Sequence, residues 1–177
     1  GGGSALPFRL FNLVLHLANV ILVFCLLKGL ARRWSMPVVT VLAGTALFAL
    51  HPMQVHAVAW ISGGRDLLAA FFALVAVAVY FAGEMTLRRF ALATALFLTS
   101  LLCKPSVAML PFVVFGLEWI VRGSTGRPVF LRMGIWATFA AAAAWLTKLA
   151  QGDYDIPLGL RERLTLVLDT YSFYLQK

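Results

Sequence analysis

Charge is scarce in this sequence, and acid is scarcer still. Asp and Glu number 7 against 15 Lys and Arg, and charged residues make up only 12% of the chain. A soluble domain carries about a quarter charged residues, so this chain lacks the polar surface that water requires. There are only 2 cysteines, Cys25 and Cys103, and both lie inside apolar runs. They are expected to be small buried hydrophobes, with no disulfide or metal framework. No internal repeat of about 34 residues is present, and no cleavable signal pattern stands at the start. What fills the chain instead is hydrocarbon: 62% of residues are hydrophobic and the mean hydropathy is +0.89. That composition predicts an integral membrane protein. The net charge of +8 does not indicate nucleic acid, because the basic residues fall at segment ends and not on one soluble face.

A membrane crossing takes roughly 20 apolar residues, within a range of about 17–25. Six such segments are predicted, over residues 8–30, 37–50, 66–83, 89–103, 106–121 and 129–150. Residues 158–177 mix apolar and charged side chains, as an amphipathic or re-entering helix does. The expected fold is therefore an all-α polytopic transmembrane bundle of about six helices with that C-terminal segment. Residues 1–7 are expected to be a linker or outer loop, and 8–177 a helical membrane domain cut from a longer chain.

Alternate connections carry Lys28, Arg32, Arg33, Arg88, Arg89, Arg122, Arg127 and Arg132. If all six segments cross, these eight charges lie on one side, which the positive-inside rule makes cytoplasmic. The other side receives 51–65, the turn at Lys104–Pro105 and 151–157. Segments two, four and five are short: fifteen helical residues reach about 22 Å, against a hydrocarbon core of roughly 30 Å. Backbone at membrane depth is tolerated only inside protein or beside water. An outward-opening recess is therefore expected, floored by a 51–65 loop and the Lys104 turn.

The stretch "HPMQVHAVAWISGGRD", residues 51–66, places two histidines, an arginine and an aspartate between apolar runs. Arg65 and Asp66 can neutralise each other, or Asp66 can cap the third segment. Lys104 has no acidic neighbour in sequence, and a lone cation in a recess suits an anionic ligand such as a lipid phosphate; the alternative is that it snorkels to the surface. His51 and His56 are five apart and do not share a helix face. Each is expected to be a hydrogen-bonding loop histidine, with acid–base work as the sharper alternative. Gly63 and Gly64 are expected to form a tight turn, and Trp60 and Trp119 to sit at the interfaces.

In the first segment Asn12, His16 and Asn19 fall on one helical face. Helix-to-helix hydrogen bonding accounts for all three, at about 0.6 kcal/mol per contact; a porphyrin or chlorophyll ligand at His16 would leave the asparagines unexplained. Glu84 and Glu118 are expected to be solvated near the cytoplasmic end. Asp153 and Asp155 suit a turn or cap. Those two acids could also hold a divalent metal, though their spacing is not diagnostic.

The order "FNLVLHLANVILVFCLL", "LFALHPMQVHAVAWISGGRDLLAAFFAL", "LLCKPSVAMLPFVVFGLEW", with "IPLGLRERL" and "YSFYLQK" near the end, resembles the membrane half of the transmembrane and tetratricopeptide-repeat O-mannosyltransferases and their bacterial relatives. The most specific element is the run from Leu50 to Leu67, with Lys104–Pro105 following. The resemblance implies a GT-C type glycosyltransferase with a polyprenyl-phosphate-linked sugar as donor, inverting at the sugar. Such enzymes work on the extracytoplasmic face, here the periplasmic side of a bacterial inner membrane. It implies that Arg65 and Lys104 bind the lipid phosphate, and that His51, His56 and Asp66 line the site. An acidic outer loop that activates the acceptor would precede Gly1, and tetratricopeptide repeats would follow Lys177; this chain holds neither. The alternative is a non-catalytic accessory subunit of a larger membrane complex, with other membrane subunits as partners.

Overall fold

The structure is a computed structural model, and it describes residues 6–123, 126–151 and 159–175. Among these residues there is no strand. The chain forms two compact units, Gly1–Trp145 and Leu146–Lys177.

In the first unit α1 (Leu6–Arg33) is followed by α2 (Val38–Leu50), α3 (Pro52–Ala59), a 3-10 turn (Ile61–Gly63), α4 (Gly64–Phe81) and α5 (Leu87–Cys103). A second 3-10 turn (Pro105–Met109) leads into α6 (Leu110–Arg122), and α7 (Arg127–Gln151) contains the boundary between the units. The six segments predicted from hydropathy are thus all helical. Among the described residues four spans are long and apolar enough to cross a membrane: Leu6–Arg33, Gly64–Phe81, Pro105–Arg122 and Arg127–Ala150. The pair α2 and α3, bent by 50°, makes a fifth if taken as one broken span. The 17 residues of α5 reach only about 26 Å.

The helix ends have local causes. Ser35 adopts φ 51°, and the Met36 amide returns to the Ala31 carbonyl at 2.9 Å, which closes α1. Thr86 starts α5 by accepting from the Arg89 amide at 3.3 Å. Gly123, at φ 62°, ends α6 in the left-handed cap that glycine adopts without strain.

The polarity of the bundle is compatible with a lipid surround. Leucine, valine and phenylalanine cover the outside of α1, while its buried residues are Asn12, His16, Asn19 and Ala31. Cys25 is exposed on α1 and Cys103 is half-buried, so neither is the buried core hydrophobe expected. α4 and α5 meet along small residues, Ala69, Ala73 and Ala76 facing Ala93 and Ser100, and the Ser100 hydroxyl donates to the Ala69 carbonyl at 2.6 Å. Apolar surface gains little by leaving apolar lipid, so close backbone approach and interhelical hydrogen bonds do the joining. The first unit's core is completed by Trp136 of α7, packed among Tyr80, Phe90 and Phe97.

In the second unit α8 (Leu160–Leu175) begins where Glu162 accepts from the Gly159 amide at 3.0 Å. Asp153 and Asp155 lie outside the described residues, as do residues 1–5.

Candidate functional site

α1, α4 and α6 run down from one end of the first unit, and α2 and α5 return to it. Near that end α2 stops at Leu50, and residues 51–63 do not form the expected loop. They fold as a short helix and a 3-10 turn. Pro52 occupies the first helical position, where its missing N–H costs nothing. His51 caps the helix: its Nδ1 accepts from the Met53 amide at 3.2 Å.

The polar face of α1 fixes this arrangement. Asn12 Nδ2 donates to the Trp60 carbonyl at 2.8 Å and lies 3.4 Å from those of Ala57 and Val58. His16 Nε2 is 3.2 Å from the Ala49 carbonyl; a carbonyl only accepts, so Nε2 carries the proton. Asn19 Nδ2 donates to the Leu67 carbonyl at 3.0 Å. One helix face thus holds α2, the end of α3 and the start of α4, as the hydrogen-bonding explanation of these three residues requires. Asn12→Leu should lower stability by about 1 kcal/mol, read by detergent unfolding, with the end of α3 loosened. An unchanged unfolding midpoint would show that Asn12 does not hold α3.

These supports frame a recess of about 500 Å³, lined by residues that include His56, Trp60, Arg65, Asp66, Cys103 and Lys104. Lys104 owes its place to proline: the residue before Pro105 is driven extended, at φ −155° and ψ 119°, which ends α5. Its ammonium then reaches Asp66 across the α4–α5 interface, Nζ to Oδ1 at 2.6 Å. Lys104 is therefore not the unpaired cation that its sequence neighbours suggested. Asp66 neither caps α4, where Gly63 is the cap residue, nor neutralises Arg65. Arg65 is exposed and has no ion pair among the described residues. Both side chains of the pair are nearly half exposed, 43% and 45%, so the pair orients charge more than it stabilises the fold. The wall carries one net positive charge from Arg65, Asp66 and Lys104, and the guanidinium is the free donor.

Of the five sequence candidates, His56, Arg65, Asp66 and Lys104 share this recess, while His51 is not on its wall. His56 is exposed and tilts against Trp60, with ring centroids 6.0 Å apart. Gly63 and Gly64 do not form a turn of unusual backbone: their φ values are −67° and −55°. Gly63 is needed for close approach, since a Cβ there would overlap the Ala57 backbone carbonyl. No group of three or more His, Cys, Asp or Glu that could hold a metal occurs among the described residues.

A larger cavity, about 1050 Å³, lies at the opposite end of the same unit. Sequence reading missed its central residue. Glu118, expected to be solvated, is fully buried; its Oε1 accepts from Arg122 Nη1 at 3.2 Å. The signal was the i, i+4 spacing of Glu118 and Arg122 on an otherwise apolar helix. We place the candidate functional site in the smaller recess, where His56, Arg65 and the Lys104–Asp66 pair converge.

Compared with protein families, with curated proteins and with solved structures, the chain shows no match to any of them.

Proposed function

We propose that the protein is the membrane core of a GT-C type glycosyltransferase that takes a polyprenyl-phosphate-linked sugar on the extracytoplasmic face. The observation that carries this is the recess joining Arg65, Asp66, Lys104 and His56 from α3, α4 and the end of α5. It lies at the end of the bundle away from Arg32, Arg33, Arg88, Arg89 and Arg122. By the positive-inside rule that end faces outward, to the periplasm of a bacterial inner membrane. α1, α2, α4, α5, α6 and α7 then make six crossings, with α2 and α5 ending below the outer surface, and α8 lies amphipathically on the membrane or re-enters it.

Arg65 binds the lipid phosphate first, because its guanidinium has no ion-pair partner and matches phosphate oxygens two at a time. Lys104 joins by sharing its ammonium between phosphate and Asp66. In full-length protein, Arg65→Ala and Lys104→Ala should each weaken polyprenyl-phosphate binding about tenfold or more, and the double variant should lose sugar transfer. Lys104→Ala should be the worse of the two, since it exposes the phosphate to an unpaired Asp66. Asp66→Asn should tighten phosphate binding. Full transfer by both single variants would overturn the proposal.

A second reading is favoured by one observation. Among the described residues Asp66 is the sole carboxylate on the recess wall, and it is held by Lys104. A non-catalytic accessory subunit would need no free base there. Purification from the native membrane decides between them: a stable set of companion subunits and no transfer would favour the accessory role.

A further inference from the structure

The larger cavity is bounded by α1, α4, α6 and the start of α7, and its wall combines hydrocarbon with a charged cluster. Most of its wall is hydrocarbon, including Leu26, Val77, Phe81 and Val129. Cys25 and Gly29, both exposed on α1, stand on the same wall, so the cavity is reached from the lipid side. Its polar part is a charged cluster. Arg33, Arg122 and Arg132 line it together with Glu118. Arg122 is already engaged: Nη1 donates to Glu118, Nη2 donates to the Gly83 carbonyl at 3.0 Å, and the guanidinium lies over the Phe81 ring at 5.4 Å. Arg33 and Arg132 have no ion pair among the described residues.

Glu118 is the buried acid of this cluster. Its side chain is 1% exposed, and Oε2 has no hydrogen-bond donor. The Tyr80 hydroxyl, which faces Glu118 and Arg132, likewise lacks a hydrogen bond of good geometry. A buried carboxylate oxygen without a donor is costly, and each such atom in a folded protein calls for an explanation. A bare phosphate would satisfy the arginines but would set its own oxygens against Oε2. A ligand that carries both an anion and a donor satisfies both.

We propose that this cavity binds a phospholipid with a primary-ammonium headgroup, of the phosphoethanolamine type. The phosphate lies on Arg33 and Arg132 at the basic end of the bundle, the ammonium donates to Glu118 Oε2, and an acyl chain follows the apolar wall along α1 and α4. The site is separate from the outward recess: Asp66 and Phe81 lie at opposite ends of α4, about 22 Å apart along the helix. Its occupancy would brace α6 against α1 within the bilayer.

The test uses the full chain in detergent, with lipid binding followed by native mass spectrometry. Phosphatidylethanolamine and phosphatidylcholine of the same acyl chains are compared, because the quaternary headgroup keeps the phosphate and the charge but cannot donate. Wild-type protein should hold the ethanolamine lipid about tenfold more tightly or better. Glu118→Gln should abolish that preference. Arg33→Ala, at the exposed rim, should weaken both lipids by a similar factor and leave the preference intact, which keeps the test open even if the buried variant does not fold. Soluble glycerophosphoethanolamine should not displace the lipid at matched concentration. Equal affinity of the wild type for the two lipids, a preference retained in Glu118→Gln, an effect of Arg33→Ala on neither lipid, or displacement by the soluble headgroup would each overturn the proposal.

Discussion

Trp136→Ala should destabilise the protein by about 3–5 kcal/mol, the range for removing a large buried aromatic. The indole is fully buried. It stacks on Phe97 with ring centroids 4.8 Å apart and meets the Tyr80 edge at 5.7 Å, while Phe90 lies nearly parallel at 6.3 Å. Its Nε1 donates to the Thr94 hydroxyl at 2.8 Å, and that hydroxyl in turn donates to the Phe90 carbonyl. The loss is one of packing, because lipid offers an exposed apolar ring almost as good a solvent as the core does. Alanine would leave a void between α4, α5 and α7 that close-packed helices refill only in part. Trp136→Phe keeps most of the stacking and removes the hydrogen bond, so it should cost about 1 kcal/mol. Unfolding in a denaturing detergent titration orders the three proteins. Equal midpoints for Trp136→Ala and wild type would show that the indole does not hold α7 in place.

Gly63→Ala should be the other severe change. The added methyl would fall on the Ala57 carbonyl, and the neighbour is backbone, so no side chain can swing away. α3 would have to shift as a unit. Overpacking of this kind costs about 1–3 kcal/mol, and more where backbone must move. Ala57, Trp60 and Gly63 all line the recess of Arg65 and Lys104, so under the proposed function binding of polyprenyl phosphate should fall together with stability. Gly116→Ala is the control. It sits inside α6 with nothing within 4 Å of its added Cβ, and alanine is the better helix former by about 1 kcal/mol. If both substitutions behave alike, close packing of the turn against α3 is not what Gly63 provides.

Hydropathy located the helices well because length and apolarity are local properties. The six predicted segments coincide with α1, α2, α4, α5, α6 and α7 to within a few residues. α3 escaped because eight residues that include Gln54 and His56 look like a loop on a hydropathy scale, although Pro52 at a first helical position after a capping His51 was there to be read. The polar stripe of α1 was legible because Asn12, His16 and Asn19 repeat with the helical period. Pairing was not legible. Asp66 is next to Arg65 in sequence but bonds to Lys104, 38 positions away, since adjacent helical residues point apart while α4 and α5 bring distant ones together. Glu118 was misjudged for the same reason: its distance along the chain from a basic turn says nothing about which way the side chain faces.

Composition and periodicity alone were enough to mark a helical chain with segments long and apolar enough to cross a membrane, and to show which ends of those segments are basic. Those follow from composition and periodicity, which each segment carries within itself. It took the packing of helices to pair Lys104 with Asp66, to leave Arg65 without an ion pair among the described residues, and to bury Glu118 with one oxygen unsatisfied. Such facts depend on which helix faces which, and side-chain packing between helices far apart in the chain settles that.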